Sequence, residues 1–341
     1  MPKLVLWDAP DQPFMAEHVP VSRSHLSRAA KAGTIQRIIR GVYLRSDLMP
    51  SDPASRHLLH ALAMQMRHGN QIVASHETAA LALGLPLPSR HAIPQRPRFL
   101  CDPDDGRRRD SVPRIWLAPL PAEHVTVISS GLLEGLRVTS GPRTAMDLAG
   151  QLPLHFSMML LDAVARREAL RLARPQQLRG EVDGLLLAEA IRPLREAHRV
   201  LGRRGGRRRV QALLLADPRR ESPGESASAA QIFAAGLPTP EVQVRFATDV
   251  GDFFVDFYWP EAALVGECDG AVKYYGGPLV YDQAQADRRR IQEKRRETAI
   301  ERRGVKVTRW LADEALYRPD AWLHTLAHLL HERRDRRPRT F

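Results

Sequence analysis

VDFYWPEAALVGECDG, residues 255–270, contains two apolar strand candidates separated by a turn at Pro260–Ala262. Folded as a tight hairpin, it sets Asp256 opposite Glu267 on one sheet face, with their Cβ atoms about 5 Å apart. Like charges facing across an antiparallel pair repel, so a half-buried pair needs a cation between the two acids or water around them. Asp269 lies two residues beyond Glu267 and projects to the same face if the strand continues, with Gly270 as its end. Two carboxylates suit Mg²⁺ or Mn²⁺, because Mg²⁺ takes few protein oxygens and keeps several waters. Such an ion withstands the negative charge that builds up during phosphodiester hydrolysis and yields a hydroxide near neutral pH. The competing reading is a solvated hairpin face, although VDFYW and ALVGEC are otherwise apolar.

Upstream, Ser222-Pro223-Gly224-Glu225 spells a capping box with proline at the first helical position, a complete local reason for Glu225. A supporting role for Glu225 at a metal can coexist with that cap. Just before it, ADPRRESPGES (216–226) is rich in Pro, Gly and charge and predicts the entry to a last domain. Downstream, a helix is expected over 283–303, where glutamates alternate with arginines. It is either a solvated surface or the wall of a nucleic-acid channel. VKVTRW (305–310) follows as a strand, and the tail RRDRRPR (333–339) is expected to stay loose.

Charge points to a polyanionic partner. The 341 residues carry a net +12, distributed as +6 over 1–100, +7 over 101–220 and −1 over 221–341. Each phosphate neutralised by Lys or Arg releases condensed counterions. In the N-terminal segment, Pro20-Val21-Ser22 offers a turn and cap, and Leu26, Ala29 and Ala30 recur at helical spacing until Gly33. IQRII (35–39), the turn Arg40-Gly41 and VYL (42–44) then form a hairpin. Helix followed by hairpin is the order of a winged helix-turn-helix. Arg23, Ser24, Arg28 and Lys31 on the helix, with Arg37 and Arg40 at the wing, suit contacts to double-stranded DNA. The plainer reading is a small α+β cap with solvated arginines.

Residues 50–220 read as mostly helical with one β region. Helices are expected over 53–69, from the Ser75 cap, near 144–150, over 154–168 and over 175–200. Strand candidates are RFLC (98–101), RIWL (114–117) and VTVIS (125–129), and RRGGRRR (203–209) breaks the helical pattern. His76 and Glu77 are neighbours that point apart on a helix, so a shared metal is not expected and His76 reads as structural. Only two cysteines occur, Cys101 and Cys268, too few for a disulfide framework or zinc ribbon. No window reaches the roughly 18 apolar residues of a membrane helix, and MPKLVLWDAPDQP lacks a leader pattern, so a cytoplasmic protein is expected.

Two family resemblances cover most of the chain. HLSRAAKAGTIQRIIRGVYL, ASHETAALALGLPLP and VTSGPRTAMDLA resemble the N-terminal and middle regions of AbiEi-type antitoxins of type IV toxin–antitoxin systems. The stretches ESPGES, AAGLPTPEVQV, VDFYWPEAALVGECDG and EKRRETAIERRGVKVTRW are similar to PD-(D/E)XK endonuclease-like domains near the very-short-patch-repair nucleases. The second resemblance implies an α/β nuclease core, in which the helix bearing Glu225 precedes a sheet containing Asp256 and Glu267. It also implies a metal contact from the backbone carbonyl of Cys268. That family's usual lysine, two positions after the glutamate, is replaced by Asp269, leaving Lys273 and Lys294 as candidates to steady the phosphorus. No histidine lies between Gly251 and Arg309 where the patch-repair enzymes have one.

The expected architecture is therefore a multidomain α/β protein. It has a winged helix at 1–48, a helical and β middle at 49–218 and a restriction-endonuclease-like domain at 219–341. Mg²⁺-dependent hydrolysis of DNA is the leading functional expectation. A noncatalytic antitoxin-like autoregulator with a cognate toxin is the alternative.

Overall fold

The computed structural model describes residues 8–69, 71–88, 93–101, 115–270 and 283–335. Its contacts draw two units, residues 1–148 with 197–202, and residues 149–196 with 203–341. The architecture is mixed α/β, with helices around three sheets.

In the first unit, strand β1 (Phe14–Met15) precedes helix α1 (Arg23–Lys31), which starts where Ser22 Oγ accepts the His25 N–H at 3.2 Å. A side-chain oxygen at this position satisfies one of the helix's orphan donors. Gly33, at φ +75°, takes the left-handed turn after the helix. Strands β2 (Ile35–Ile39) and β3 (Val42–Arg45) then form the expected hairpin. The sheet order is β1-β3-β2, and Leu26, Phe14 and Ile35 form the core beneath it. Strand β1 is too short to announce itself by alternation.

Helix α2 (Pro53–His68) and strand β4 (Val73–Ala74) follow, then α3 (His76–Ala82), β5 (Phe99–Cys101), β6 (Ile115–Leu117), β7 (Val125–Val127), β8 (Arg137–Thr139) and α4 (Gly141–Ala149). The five strands order as β6-β5-β4-β8-β7, packed through Phe99, Leu136, Val138 and the apolar face of α2. The two-residue β4 carries no periodicity to read, yet it is the central strand.

The second unit holds α5 (Leu154–Leu172), α6 (Gly184–Arg199) up to residue 196, α7 (Gly206–Leu215) and α8 (Pro223–Ala234). After them come β9 (Glu241–Thr248), β10 (Gly251–Trp259), β11 (Leu264–Asp269), α9 (Gln283–Glu301), β12 (Lys306–Leu311), α10 (Ala312–Tyr317) and α11 (Asp320–Asp335). The sheet order is β12-β11-β10-β9, antiparallel except between β11 and β12. One face packs Phe257, Trp259 and Trp310 against α8, α10 and α11, where the Trp310 ring stacks on Trp322 of α11 at 4.6 Å. On the other, Val255, Val265 and Val307 meet Ile300 of α9.

Several local expectations change. The helix expected over 175–200 is a short 3₁₀ turn, Pro175–Leu178, and then α6, with Gly180 at φ +70° between them. RRGGRRR does break the helical pattern, since α6 ends at Arg199 and Gly205 adopts the left-handed region, but its second half starts the next helix: α7 begins at Gly206, with Arg209 buried. The connector 216–226, read as a domain entry, is anchored on both sides. Arg220 pairs with the buried Asp162 of α5 at 2.9 Å, and Arg166 and Arg179 both hold Glu221. The tail expected to be loose begins inside α11, where Arg333 donates to the Ala262 and Ala263 carbonyls at 2.7 and 3.2 Å. No helix among the described residues is long and apolar enough to cross a membrane.

Gly266 fits because it has no side chain. A Cβ there would lie 2.6 Å from Trp310 Cη2 and 3.0 Å from the Trp259 ring, both parts of the rigid aromatic layer. Inserting carbon into a filled core costs about 1–3 kcal/mol. Gly266→Ala should lower unfolding stability by that amount in urea titration, and an unchanged midpoint would refute the tight fit.

Candidate active site

The ladder between β10 and β11 ends with Phe257 opposite Gly266. The next residues along it are Asp256 and Glu267, so the acidic pair sits where the strands part rather than on a continuous sheet face. Alternation along β10 breaks at the same point. Val255 lies in the layer under α9, whereas Phe257 lies in the layer under α8. Asp256 Oδ2 accepts the Cys268 N–H at 2.9 Å, a side-chain bond that continues where the main-chain pairing stops.

Glu225 reaches the pair from the first turn of α8. Ser222 Oγ accepts the Glu225 N–H at 3.2 Å, while Glu225 Oε2 accepts the Glu221 N–H at 2.9 Å. Helix capping and site membership therefore coexist in one residue. The helix can press this close because Gly224 faces β11: a Cβ there would lie 2.8 Å from Cys268 Sγ and 2.7 Å from Ala312 Cβ.

Gln243 is the site residue that sequence reading missed. It is buried and stands at φ +53°, a left-handed conformation rare for a non-glycine residue in a strand. Its carbonyl accepts the Gly180 N–H at 2.8 Å. Its amide Nε2 donates to Glu225 Oε2 at 3.1 Å and approaches Asp256 Oδ1 at 3.4 Å. Amide orientation follows from these two acceptors. The only sequence signal was a polar residue between the apolar Val242 and Val244.

Glu267 is buried and bound by Arg296 of α9, with Nη2 to Oε1 at 2.8 Å and Nη1 to Oε2 at 3.3 Å. Arg296 also donates to the Phe254 carbonyl and to Glu293, each at 2.9 Å, and lies over the Phe253 ring. Asp269 receives Arg309 at 3.2 Å, and the same guanidinium meets Glu293 at 2.6 Å. Lys294, expected to face the acids, is exposed on α9 in a groove with Val250, Arg295 and Arg302. The helical turn that aims Arg296 at Glu267 aims Lys294 elsewhere. Lys273 lies outside the described residues. Of the candidates, then, Asp256, Glu267 and Glu225 cluster, Asp269 borders them, and Lys294 does not join them.

Burial and mutual repulsion leave the acids short of positive charge. Burial, then the Asp256 charge, pushes Glu225 up to about 7; burial, then Glu267, pushes Asp256 up to about 7. These two titrate as a pair. Burial also raises Glu267, outweighing Arg296. The Cys268 thiol is pushed up to about 12 by burial and stays protonated. Hard carboxylate oxygens with excess negative potential suit a hard divalent cation. Among the described residues, however, no three His, Cys, Asp or Glu side chains form a ready ion cage, and Arg296 occupies both oxygens of Glu267.

In the first unit Ser24, Arg28 and Lys31 stand exposed on α1. Arg23, Arg37 and Arg40 are exposed too, and line a cleft with Arg67.

No family model matches the chain. It is similar to two uncharacterized proteins of Mycobacterium tuberculosis, from strains CDC 1551/Oshkosh and ATCC 25618/H37Rv. Each is 27% identical over 259 residues, covering 76% of this chain and 82% of the relative.

A carboxyl whose folded pKa is raised stabilises the fold below its unfolded value near 4 and loses that contribution as pH rises through its folded value. Asp256→Asn should therefore melt progressively higher than wild type as pH rises from about 4 to about 8. Parallel melting curves across that range would show that Asp256 carries no such strain.

Proposed function

We propose that the second unit hydrolyses phosphodiester bonds of DNA with Mg²⁺ or Mn²⁺, and that the first unit binds the duplex as a winged helix. One observation carries the catalytic reading: acids from α8, β10 and β11 meet where two central strands part. The element order α8-β9-β10-β11-α9-β12, with its single parallel pair, supports a restriction-endonuclease-like core. Asp256 and Glu267 would hold the ion, with the Cys268 carbonyl beside them, and the ion would supply charge neutralisation and an activated water. Glu225 and Gln243 keep Asp256 oriented. Asp269 and Arg309 border the site, and Arg179, which holds Glu221 and feels the charges of Glu225 and Asp256, is a cation available to a phosphate. Such a protein works where DNA is, in the cytoplasm.

A second reading has its own supporting observation. Glu267 and Asp269 already carry guanidinium partners, and the lysine usual in such nucleases is replaced by Asp269. A noncatalytic, antitoxin-like autoregulator would keep this fold as a scaffold, bind its operator through α1 and the wing, and answer to a toxin partner.

Incubating the full chain with duplex DNA and Mg²⁺ or Mn²⁺ separates the two. Outer partners of metal ligands are worth about 10–100-fold in activity, so Asp256→Ala and Glu267→Gln should each slow cleavage by at least about 100-fold, and chelation should abolish it. Equal cutting by wild type and Asp256→Ala, or none by either, sinks the hydrolase. The autoregulator requires salt-sensitive operator binding that Arg28→Ala weakens without any metal.

A further inference from the structure

The arginines of the first unit do not all lie on one flat face. Arg23 opens α1, Arg37 lies on β2, Arg40 lies at the hairpin turn, and Arg67 comes from the last turn of α2. All four line one cleft of about 360 Å³, with Glu17 as its one carboxylate and Tyr43 in its wall. At about 3.6 residues per turn, Ser24, Arg28 and Lys31 share a stripe of α1 while Arg23 is rotated toward the side of Leu26, which also lines the cleft.

Among the described residues, none of these four guanidiniums has an acidic partner. Asp11 and Asp47 of the same unit both hold Arg45, and Glu17, exposed in the cleft wall, lies 3.9 Å from His18. Arg67 is exposed, with its Nη1 lying against the hairpin turn. Gly41 stands at φ +87°, and a Cβ there would lie 3.0 Å from Arg67 Nη1. Four like charges gathered from three elements repel one another until an anion joins them, and planar guanidinium forks match phosphate oxygens.

We propose that Arg23, Arg37, Arg40 and Arg67 form a single oxyanion site that seats a backbone phosphate of duplex DNA, with Arg67 as the member supplied from outside the helix and hairpin. DNA is favoured over RNA because the Ser24–Arg28–Lys31 stripe beside the cleft belongs to a short exposed helix. Such a helix enters the major groove of B-form DNA and not the deep, narrow groove of A-form RNA. The inference rests on the DNA-binding half of the proposed function and is independent of whether the carboxylate site cuts.

The test is fluorescence anisotropy with the full chain and labelled duplex DNA, in chelator so that nothing is cut, over a series of salt concentrations. Arg67→Ala should weaken binding about 10-fold and flatten the slope of log affinity against log salt by about 1. Arg67→Lys should restore the slope and part of the affinity. Arg45→Ala, which removes an already neutralised arginine, should leave the slope unchanged. Melting curves without DNA confirm that each variant is folded. An unchanged slope in Arg67→Ala, or an equal fall in Arg45→Ala, overturns the site. So does equal affinity for duplex RNA, or displacement of DNA by adenosine monophosphate at low millimolar concentration. Binding that follows the prediction in a protein that never cuts would sink the hydrolase alone; cutting with an unchanged Arg67→Ala slope would sink the cleft alone.

Discussion

Everything at the candidate site follows from one electrostatic constraint: buried carboxylates are gathered where β10 and β11 separate. A charge withdrawn from water is costly unless it is paired or hydrogen-bonded, and like charges side by side add to that cost. Each acid is answered differently. Asp256 takes the Cys268 N–H, Glu225 takes the Glu221 N–H and the Gln243 amide, and Glu267 takes Arg296. Only Glu267 receives a full positive charge, and burial still raises it. Glu225 and Asp256 are hydrogen-bonded only by dipoles, with the charges of Arg179, Arg220 and Arg296 acting at a distance, and they are the two pushed furthest toward neutrality.

Gln243 shows how the fold maintains this arrangement. A non-glycine residue in the left-handed region costs about 1–3 kcal/mol, and such residues cluster at functional sites. Here Gly180, itself at φ +70°, donates its N–H to the turned carbonyl, so the segment between α5 and α6 helps to hold a strand of the sheet out of regular geometry. The anchored connector works in the same direction. Asp162 with Arg220, and Glu221 with Arg166 and Arg179, fix the approach to α8 and hence the height of Glu225. The site is thus supported by helices far from it in sequence.

What could be read beforehand was what local pattern encodes. Apolar alternation and the proline-led turn revealed the β10–β11 hairpin, and Ser22 and Ser222 announced two helix starts. The same pattern carried the register, which holds as far as Phe257 opposite Gly266, but not the end of the ladder, which stops one residue short of Asp256 and Glu267. Gln243 and Arg67 were illegible for a related reason: each gains meaning from a neighbour distant in sequence, Gly180 for one and the Arg40–Gly41 turn for the other. Lys294 was named on chemistry, and Arg296 takes the place beside Glu267 instead. Helical phase decides between them, and the phase of α9 is set by Ile300 packing under the sheet.

The two functional readings differ in one quantity, the free energy of parting Glu267 from Arg296. A buried ion pair gains little net stability, because desolvation offsets most of its Coulomb attraction. Arg296 does not depend on Glu267 alone: the Phe254 carbonyl, Glu293 and the Phe253 face remain to receive it. A divalent ion, moreover, would bind Asp256 and Glu267 together, where the guanidinium bonds Glu267 and reaches Asp256 only through its field. Release of Glu267 to a metal is therefore opposed by the two bonds from one replaceable guanidinium and favoured by the burial that raises both acids and by the repulsion that Asp256 feels from Glu267. That balance is the physical reason to place hydrolysis ahead of a purely structural role for the cluster.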